Sequence, residues 1–165
     1  MADNAQLIEK LGGAPDSKTT LRLWLRLLTC AHHIESGVRD GLRRDFATTL
    51  PRFDVLAALD RFPDGLTMGE LSRWLLVSNG NVTGLVTRLE SEGLIEKVRS
   101  AADRRSTRVK LTNAGSSTFA EMAHAHEGWI DQLFAGLDAG EAEQLLDLLG
   151  RLKDSLAAAK HQDAP

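Results

Sequence analysis

A cluster of cationic side chains near residue 100 has the clearest chemical meaning in this sequence. Residues 97–110 contain six lysines and arginines and one acid, Asp103, so the segment carries a net charge of +5. The whole chain carries −3, so the remaining residues sum to −8. An otherwise acidic protein that concentrates its cations in one short segment offers them to an anionic partner, and nucleic acid is the leading candidate. The six cations are Lys97, Arg99, Arg104, Arg105, Arg108 and Lys110.

A helix predicted just before this segment has a polar outer face. Its inward face repeats apolar residues at helical spacing from Val82 to Leu89, and Gly93 ends it. Asn can pair with the edge of adenine, a Thr methyl group can meet that of thymine, and Arg can bind guanine or phosphate. A helix N-terminus with an adjacent Ser hydroxyl also suits a phosphate. The DNA contacts predicted from this helix are Ser78, Asn79, Asn81, Thr83, Thr87 and Arg88.

The elements around this helix predict a winged helix-turn-helix. Pro51 can open one helix, and the capping box Thr67–Glu70 can open the next, with Leu71, Trp74 and Leu75 facing inward. Strands are predicted at 94–99 and 105–111, with Arg108 and Lys110 on the solvent face. In this arrangement the last of the three helices enters the major groove, and a hairpin tip with Arg104 and Arg105 can enter the minor groove. The hairpin residues predicted to contact DNA are Asp103, Arg104, Arg105 and Arg108.

The fold class predicted is therefore mainly α with a small β-hairpin wing. Residues 1–46 would form an N-terminal arm and a dimerisation helix, residues 47–113 the DNA-binding domain, and residues 114–165 C-terminal dimerisation helices. The first long helix, about 17–44, has two apolar stripes, which is more than one small domain can cover, so a homodimer is expected. The box Asp138–Glu141 is expected to start the last helix, which is rich in leucine.

At this point the sequence resembles the MarR family of bacterial regulators over about residues 53–115. The resemblance implies an obligate homodimer with interlocked terminal helices, bound to a pseudo-palindromic operator and usually acting as a repressor. It also implies that Arg105 is the minor-groove finger and that Asp103 orients it. Gly84 stands where members often carry Arg, and Ala102 where Pro is common. The matching residues are Leu71, Ser78, Val82-Thr83, Leu85-Val86, Arg88-Leu89-Glu90, Gly93-Leu94, Asp103-x-Arg105, Val109-x-Leu111-Thr112 and Gly115.

A ligand pocket is also expected, because members of this family bind small anionic aromatic compounds or acyl-CoA thioesters between the dimerisation helices and the DNA-binding lobe. An aromatic ring can stack on Trp or Phe, and its carboxylate can pair with His or Arg. Dimer core is the alternative interpretation of the apolar members. The predicted effector-binding residues are Trp24, Leu28, His32, Ser36, Arg39 and Phe53.

Other sites are not favoured by the sequence. Cys30, the single cysteine, lies in an apolar helix and is interpreted as an inert core thiol. The pairs His32-His33 and His124-x-His126 point their rings apart on a helix, so no metal site is predicted. No cofactor motif, catalytic constellation, membrane span or secretion signal is recognised, and a cytoplasmic protein is expected.

Two functions remain open. The favoured one is a sequence-specific DNA-binding regulator, most simply a repressor released from its operator by a small ligand. The alternative is a winged-helix protein-interaction module whose basic hairpin binds an acidic partner.

Overall fold

The computed structural model of the chain describes residues 19–99 and 107–162. Within these ranges the protein is mainly helical with one two-stranded antiparallel hairpin, which confirms the predicted fold class. None of the described helices is long and apolar enough to cross a membrane. The elements in chain order are α1 (Thr19–Phe46), α2 (Leu50–Arg61), α3 (Met68–Leu75), α4 (Asn79–Ser91), β1 (Ile95–Arg99), β2 (Thr107–Leu111), α5 (Asn113–Phe134) and α6 (Ala139–Gln162).

The described chain divides into two compact units, with the boundary between Ile130 and Asp131. The first unit contains the helix-turn-helix and the hairpin, and the second contains α6. The functional division predicted at residues 46 and 113 stays a prediction.

The core of the first unit lies between α2, α3, α4 and the hairpin. Val55 and Leu59 of α2 are fully buried, as is Leu71 of α3. The predicted inward face of α4 is confirmed at three positions, since Val82, Val86 and Leu89 are at most 1% exposed. Leu85, at the edge of this face, is only partly buried.

A capping box starts α3, as the sequence predicts. The Thr67 hydroxyl accepts a hydrogen bond from the Glu70 N–H at 3.2 Å, and the Glu70 carboxylate accepts one from the Thr67 N–H at 2.8 Å. These two bonds satisfy backbone donors that a helix start otherwise leaves unpaired. The start of α3 is therefore fixed by local interactions.

The turn between α3 and α4 passes through a left-handed residue that is not glycine. Leu76 has φ 55 and ψ 34, and its side chain is 92% exposed. The backbone N–H groups of Leu76 and Val77 donate to the carbonyls of Arg73 and Ser72, so the turn closes like a helix end that glycine usually occupies. A β-carbon in this region costs about 1–2 kcal/mol.

The hairpin rests on the helices through Val109. This residue is fully buried, and it forms an isolated bridge with Leu66 through N–H···O bonds of 3.0 and 2.7 Å. Beside this bridge, Gly65 has φ +80, and a β-carbon there would lie 2.6 Å from the Val109 carbonyl oxygen. The turn before α3 therefore adds one paired residue, Leu66, to the two-stranded sheet.

The prediction that Arg108 and Lys110 lie on a solvent-facing side of the hairpin is wrong in part. Both side chains are half-buried, and a β-carbon at Gly65 would lie within 3.3 Å of atoms of each. The Arg108 guanidinium donates to the Gly65 carbonyl at 2.5 Å. The sequence alternation located the buried strand face correctly but could not indicate that the α2–α3 turn covers part of the other face.

The end of α4 and the start of α5 are joined by a tight junction. The Thr112 hydroxyl donates to the Gly93 carbonyl at 2.7 Å, and the Thr112 N–H donates to the Leu94 carbonyl at 3.0 Å. The same hydroxyl accepts the Gly115 N–H at 3.0 Å. A β-carbon at Gly115 would overlap with the Leu94 carbonyl oxygen and lie 2.8 Å from its carbonyl carbon, so only glycine fits here.

The helix α6, in the second unit, begins with the predicted capping box. The Asp138 carboxylate accepts from the Glu141 N–H at 2.9 Å, and the Glu141 carboxylate accepts from the Asp138 N–H at 3.0 Å. Several leucines of α6 are exposed in the protomer, among them Leu145, Leu146, Leu148, Leu149 and Leu156.

Replacing Gly115 by alanine should destabilise the first unit, because the added methyl group forces two backbones apart. We expect Gly115→Ala to lower the free energy of unfolding by about 1–3 kcal/mol in urea denaturation. Gly84→Ala is the matched control: a β-carbon there meets no atom within 4 Å. It should raise stability by about 1 kcal/mol, the helix-propensity difference between the two residues. Equal effects of the two substitutions would contradict the close approach.

Candidate nucleic-acid interface

The outer face of α4 is exposed and polar, and its opposite face is buried. Asn81, Thr83, Thr87 and Arg88 are all exposed, whereas the inward valines and Leu89 lie in the core. Asn79 opens the helix, but its side chain lies outside what the structure describes. Because the inward face is packed, these side chains are held on a fixed surface.

Ser78 occupies the N-cap position of α4 in an extended conformation, with φ −67 and ψ 150. Its side chain makes no capping hydrogen bond, unlike that of Thr67 in α3. The residue is exposed, so its hydroxyl is open to solvent beside the start of the helix. Such an arrangement suits an anion such as a phosphate oxygen.

The cations of the hairpin are not all directed to solvent. Lys97 forms an ion pair with Glu90 of α4. Arg108 donates to Gly65, and its guanidinium lies 3.8 Å from the Glu70 carboxylate. Hydrogen bonds from Thr67, more than the nearby Arg108, hold the pKa of Glu70 below its usual range. Part of the positive charge therefore stabilises the domain.

The hairpin tip carries three of the residues predicted to contact DNA. Asp103, Arg104 and Arg105 lie outside the described residues, so their roles as minor-groove finger and orienting carboxylate stay predictions. Arg99, which ends β1, is exposed at the base of the tip.

The residues predicted to bind an effector are divided between different environments. Trp24 and Leu28 are 55% and 47% exposed, His32 is exposed, and Ser36 is partly buried. Arg39 pairs with Glu35 on the same helix. Phe53 is buried and faces α5, stacked on His126 with ring centroids 5.0 Å apart. Burial also lowers the pKa of His126.

Two further expectations about α1 and α3 are wrong for the protomer. Cys30 is exposed and is not a core thiol. Trp74 is 47% exposed, although its spacing placed it on the inward face of α3. No group of three or more His, Cys, Asp and Glu side chains within 19–99 and 107–162 is placed to hold a metal ion.

Trp74 lines a cleft that the sequence did not indicate. The cleft, of about 540 Å³, lies between the end of α2, the turn that follows it, α3 and β2. Trp74 meets Phe62 edge-on with ring centroids 6.1 Å apart, and Arg61, Arg73 and Arg108 belong to the lining.

A second cleft, of about 350 Å³, lies between α2 and α4. Most of its lining is apolar, and Asp54 supplies the one carboxyl group. Burial, with a smaller contribution from the charge of Glu35, raises the pKa of Asp54 to about 6. No hydrogen bond or ion pair joins this carboxyl group to another residue in the described part of the chain. The lining residues are Pro51, Asp54, Leu75, Val77, Asn81 and Leu85.

The three helices α2, α3 and α4 followed by the β1–β2 hairpin define the class of the protein: it is a winged helix-turn-helix protein. The polar outer face of α4 lies where such proteins carry their recognition helix.

Comparisons with known proteins identify the family. The model of the MarR family matches residues 48–106. The transcriptional activatory protein BadR of Rhodopseudomonas palustris is 35% identical over 114 residues, which are 67% of this chain and 65% of BadR. The chain therefore spans about two thirds of the length of that relative.

Solved structures agree with this match. A MarR family transcriptional regulator from Silicibacter pomeroyi is 32% identical, with a TM-score of 0.71, over 87% of this chain and 99% of that one. A MarR mutant from E. coli, complexed with operator DNA, is 24% identical with a TM-score of 0.68, over 79% of this chain and 92% of that one. The chain belongs to the MarR family of transcriptional regulators.

Replacing Asp54 by asparagine should stabilise the protein at alkaline pH. The pKa of Asp54 is raised in the folded state, so ionisation of this carboxyl group destabilises the folded protein. As the pH falls through about 6 toward the pKa near 4 of the unfolded state, the group is protonated and this loss of stability disappears. At pH 8 we expect Asp54→Asn to raise the free energy of unfolding by on the order of 1 kcal/mol, after discounting for solvent screening of a half-exposed group. The gain should shrink toward pH 5. Asp60→Asn, on the exposed side of α2, is the matched control for the loss of one carboxyl group from this helix. A constant difference between pH 8 and pH 5 would contradict the burial of the Asp54 charge.

Proposed function

We propose that the protein is a sequence-specific, double-stranded DNA-binding transcriptional regulator. The observation that carries this proposal is the outer face of α4, where Asn81, Thr83, Thr87 and Arg88 are exposed on a helix whose other face is locked in the core. These side-chain types match the hydrogen-bonding groups and methyl groups of base edges in the major groove. A helix of this diameter fits that groove.

Contacts with the phosphate backbone of DNA would orient α4 on the duplex. The exposed Ser78 hydroxyl and the N-terminus of α4 suit one phosphate, and Arg99 at the end of β1 suits another. Arg104 and Arg105 would enter the adjacent minor groove, with Asp103 orienting Arg105, as the family resemblance implies. Arg108 contributes to this surface mainly by holding the hairpin against Gly65.

Similarity to the E. coli protein complexed with operator DNA supports the proposal at the level of the fold. BadR is named a transcriptional activatory protein, so that relative gives no support to the predicted repressing role. The direction of regulation is tested by placing a reporter behind the selected DNA site, and a repressor must lower its transcription.

The protein is proposed to act as a homodimer. The apolar side chains that α1 and α6 expose in the protomer support this, among them Leu21, Leu23, Trp24, Leu148 and Leu156. Exposed apolar area on this scale is typical of a surface that a second subunit covers. Two copies of α4 would then occupy successive major grooves one helical turn apart.

The predicted anionic effector, an aromatic acid or an acyl-CoA thioester, also stays a proposal. Trp24 and His32 are accessible on α1 and can form part of such a pocket. Two of the six predicted residues already have partners in this structure, because Arg39 pairs with Glu35 and Phe53 stacks on His126 of α5.

DNA contact is tested by selecting binding sites from a random double-stranded library and measuring affinity for the selected site by fluorescence anisotropy. Arg88→Ala and Arg105→Ala should each weaken binding by about 1–3 kcal/mol if they make good groove contacts. Arg43→Ala, an exposed cation on α1, is the matched control and should bind like the wild type.

Salt dependence separates DNA binding from the protein-interaction alternative. The affinity should fall steeply between about 50 and 200 mM salt, because phosphate contacts release counterions. Failure to select any site, or an affinity independent of salt, would instead favour a module that binds an acidic protein.

Dimerisation through α6 is tested by charge insertion. Leu149→Asp combined with Leu152→Asp should convert the protein to monomers in sedimentation experiments and abolish binding to the selected site, because carboxylates cannot be buried without a partner. Gln144→Asp combined with Ser155→Asp is the matched control, since it adds the same charge to α6 at two exposed polar positions. A double variant that remains dimeric would contradict the assignment of α6 to the interface.

A further inference from the structure

The cleft between α2 and α4 combines an apolar wall with a single acid. Pro51, Leu75, Val77 and Leu85 supply apolar surface, and the volume of about 350 Å³ lies within the range of small-molecule sites. The polar groups are the Asp54 carboxyl and the Asn81 amide. Few polar groups within an apolar lining are the usual composition of a site that binds and orients one small ligand.

Asp54 lacks a compensating positive charge. Across the ranges 19–99 and 107–162, no arginine, lysine or histidine pairs with it, and the charge that acts on its pKa is that of another acid, Glu35. Arg39, the cation closest to Glu35 in sequence, is occupied by that residue. Desolvation of this half-buried carboxylate costs free energy that no partner offsets, and a cation bound beside it would offset that cost.

We propose that this cleft binds a small organic monocation with an apolar body, such as an arylalkylamine, whose charged nitrogen pairs with Asp54 while its body packs between Pro51, Leu75 and Leu85. Asn81 can accept a hydrogen bond from the same nitrogen through its amide oxygen. The negative charges of Asp54 and, at longer range, Glu35 disfavour anionic aromatic acids in the cleft. This site therefore differs from the predicted anionic effector site on α1 in both position and charge.

The position of Asn81 gives the ligand a route to regulation, and this step rests on the proposed DNA-binding function. Asn81 lies on α4 and is also a predicted base contact. A ligand that holds this side chain in the cleft withdraws it from DNA. By linkage, the ligand must weaken DNA binding by the same factor by which DNA weakens ligand binding.

Binding is tested by titrating the full-length protein at pH 8 with three probes of similar size: phenethylammonium, phenethyl alcohol and phenylacetate. Calorimetry and amide chemical shifts should detect phenethylammonium most strongly, with shifts at Asp54, Leu75 and Leu85. Asp54→Asn should weaken it by about tenfold or more, the worth of one charge-assisted contact, and leave phenethyl alcohol unchanged. Asp60→Asn is the matched control on the same helix and should bind like the wild type. Asn is close in size to Asp and removes only the unfavourable buried charge, so the variant should remain folded, which its thermal unfolding curve checks.

Phenylacetate binding as tight as that of phenethylammonium, or cation binding that survives Asp54→Asn, would overturn the inference. The same holds if no probe binds. A second measurement adds phenethylammonium to the complex with selected DNA, where the wild type should lose affinity and Asp54→Asn should not. A protein that binds DNA but no cation refutes the cleft alone, and one that binds the cation but no DNA refutes the proposed function alone.

Discussion

The contact between the first turn of α5 and the Leu94 carbonyl fixes the geometry of the DNA-binding unit. It requires glycine at 115, and the Thr112 hydroxyl bridges the Gly93 carbonyl to the Gly115 N–H across the same junction. The end of α4, the start of β1 and the start of α5 therefore meet within a few bonds of one another. The exposed face of α4 and the strands of the hairpin share this anchor, so they are positioned as one surface and not as two independent ones.

Charge is used on this surface in two ways. Lys97 and Arg108 belong to the basic segment, but the first pairs with Glu90 and the second holds the Gly65 turn. The charge of +5 counted over residues 97–110 therefore overstates what is directed at a partner. The α4–β1 face keeps Arg88 and Arg99 exposed, so shape and hydrogen bonding at Asn81, Thr83 and Thr87 carry a larger share of the proposed recognition than the sequence charge suggests.

Local and periodic features of the fold were predictable. Both capping boxes formed because their hydrogen bonds join residues three apart, and the inward face of α4 followed from apolar spacing. Trp74 and Cys30 were placed wrongly, because spacing names the face of a helix but not whether another element covers it. The cleft around Asp54 joins α2 to residues more than twenty positions later, and no sequence period encodes such a pairing.

Leu76 is a position at which the stability of the protein can be raised. Its left-handed backbone and its 92% exposed side chain gain nothing from burial, and the turn would be relaxed by glycine. A substitution at this position, two residues before Ser78 and outside the core, would therefore raise the stability of the helix-turn-helix. Natural proteins are selected to remain above a stability threshold and not to reach the optimum, so residues that are suboptimal for stability persist. A change at this turn would raise the thermal stability of the protein without replacing any residue of the outer face of α4 or of the cleft around Asp54.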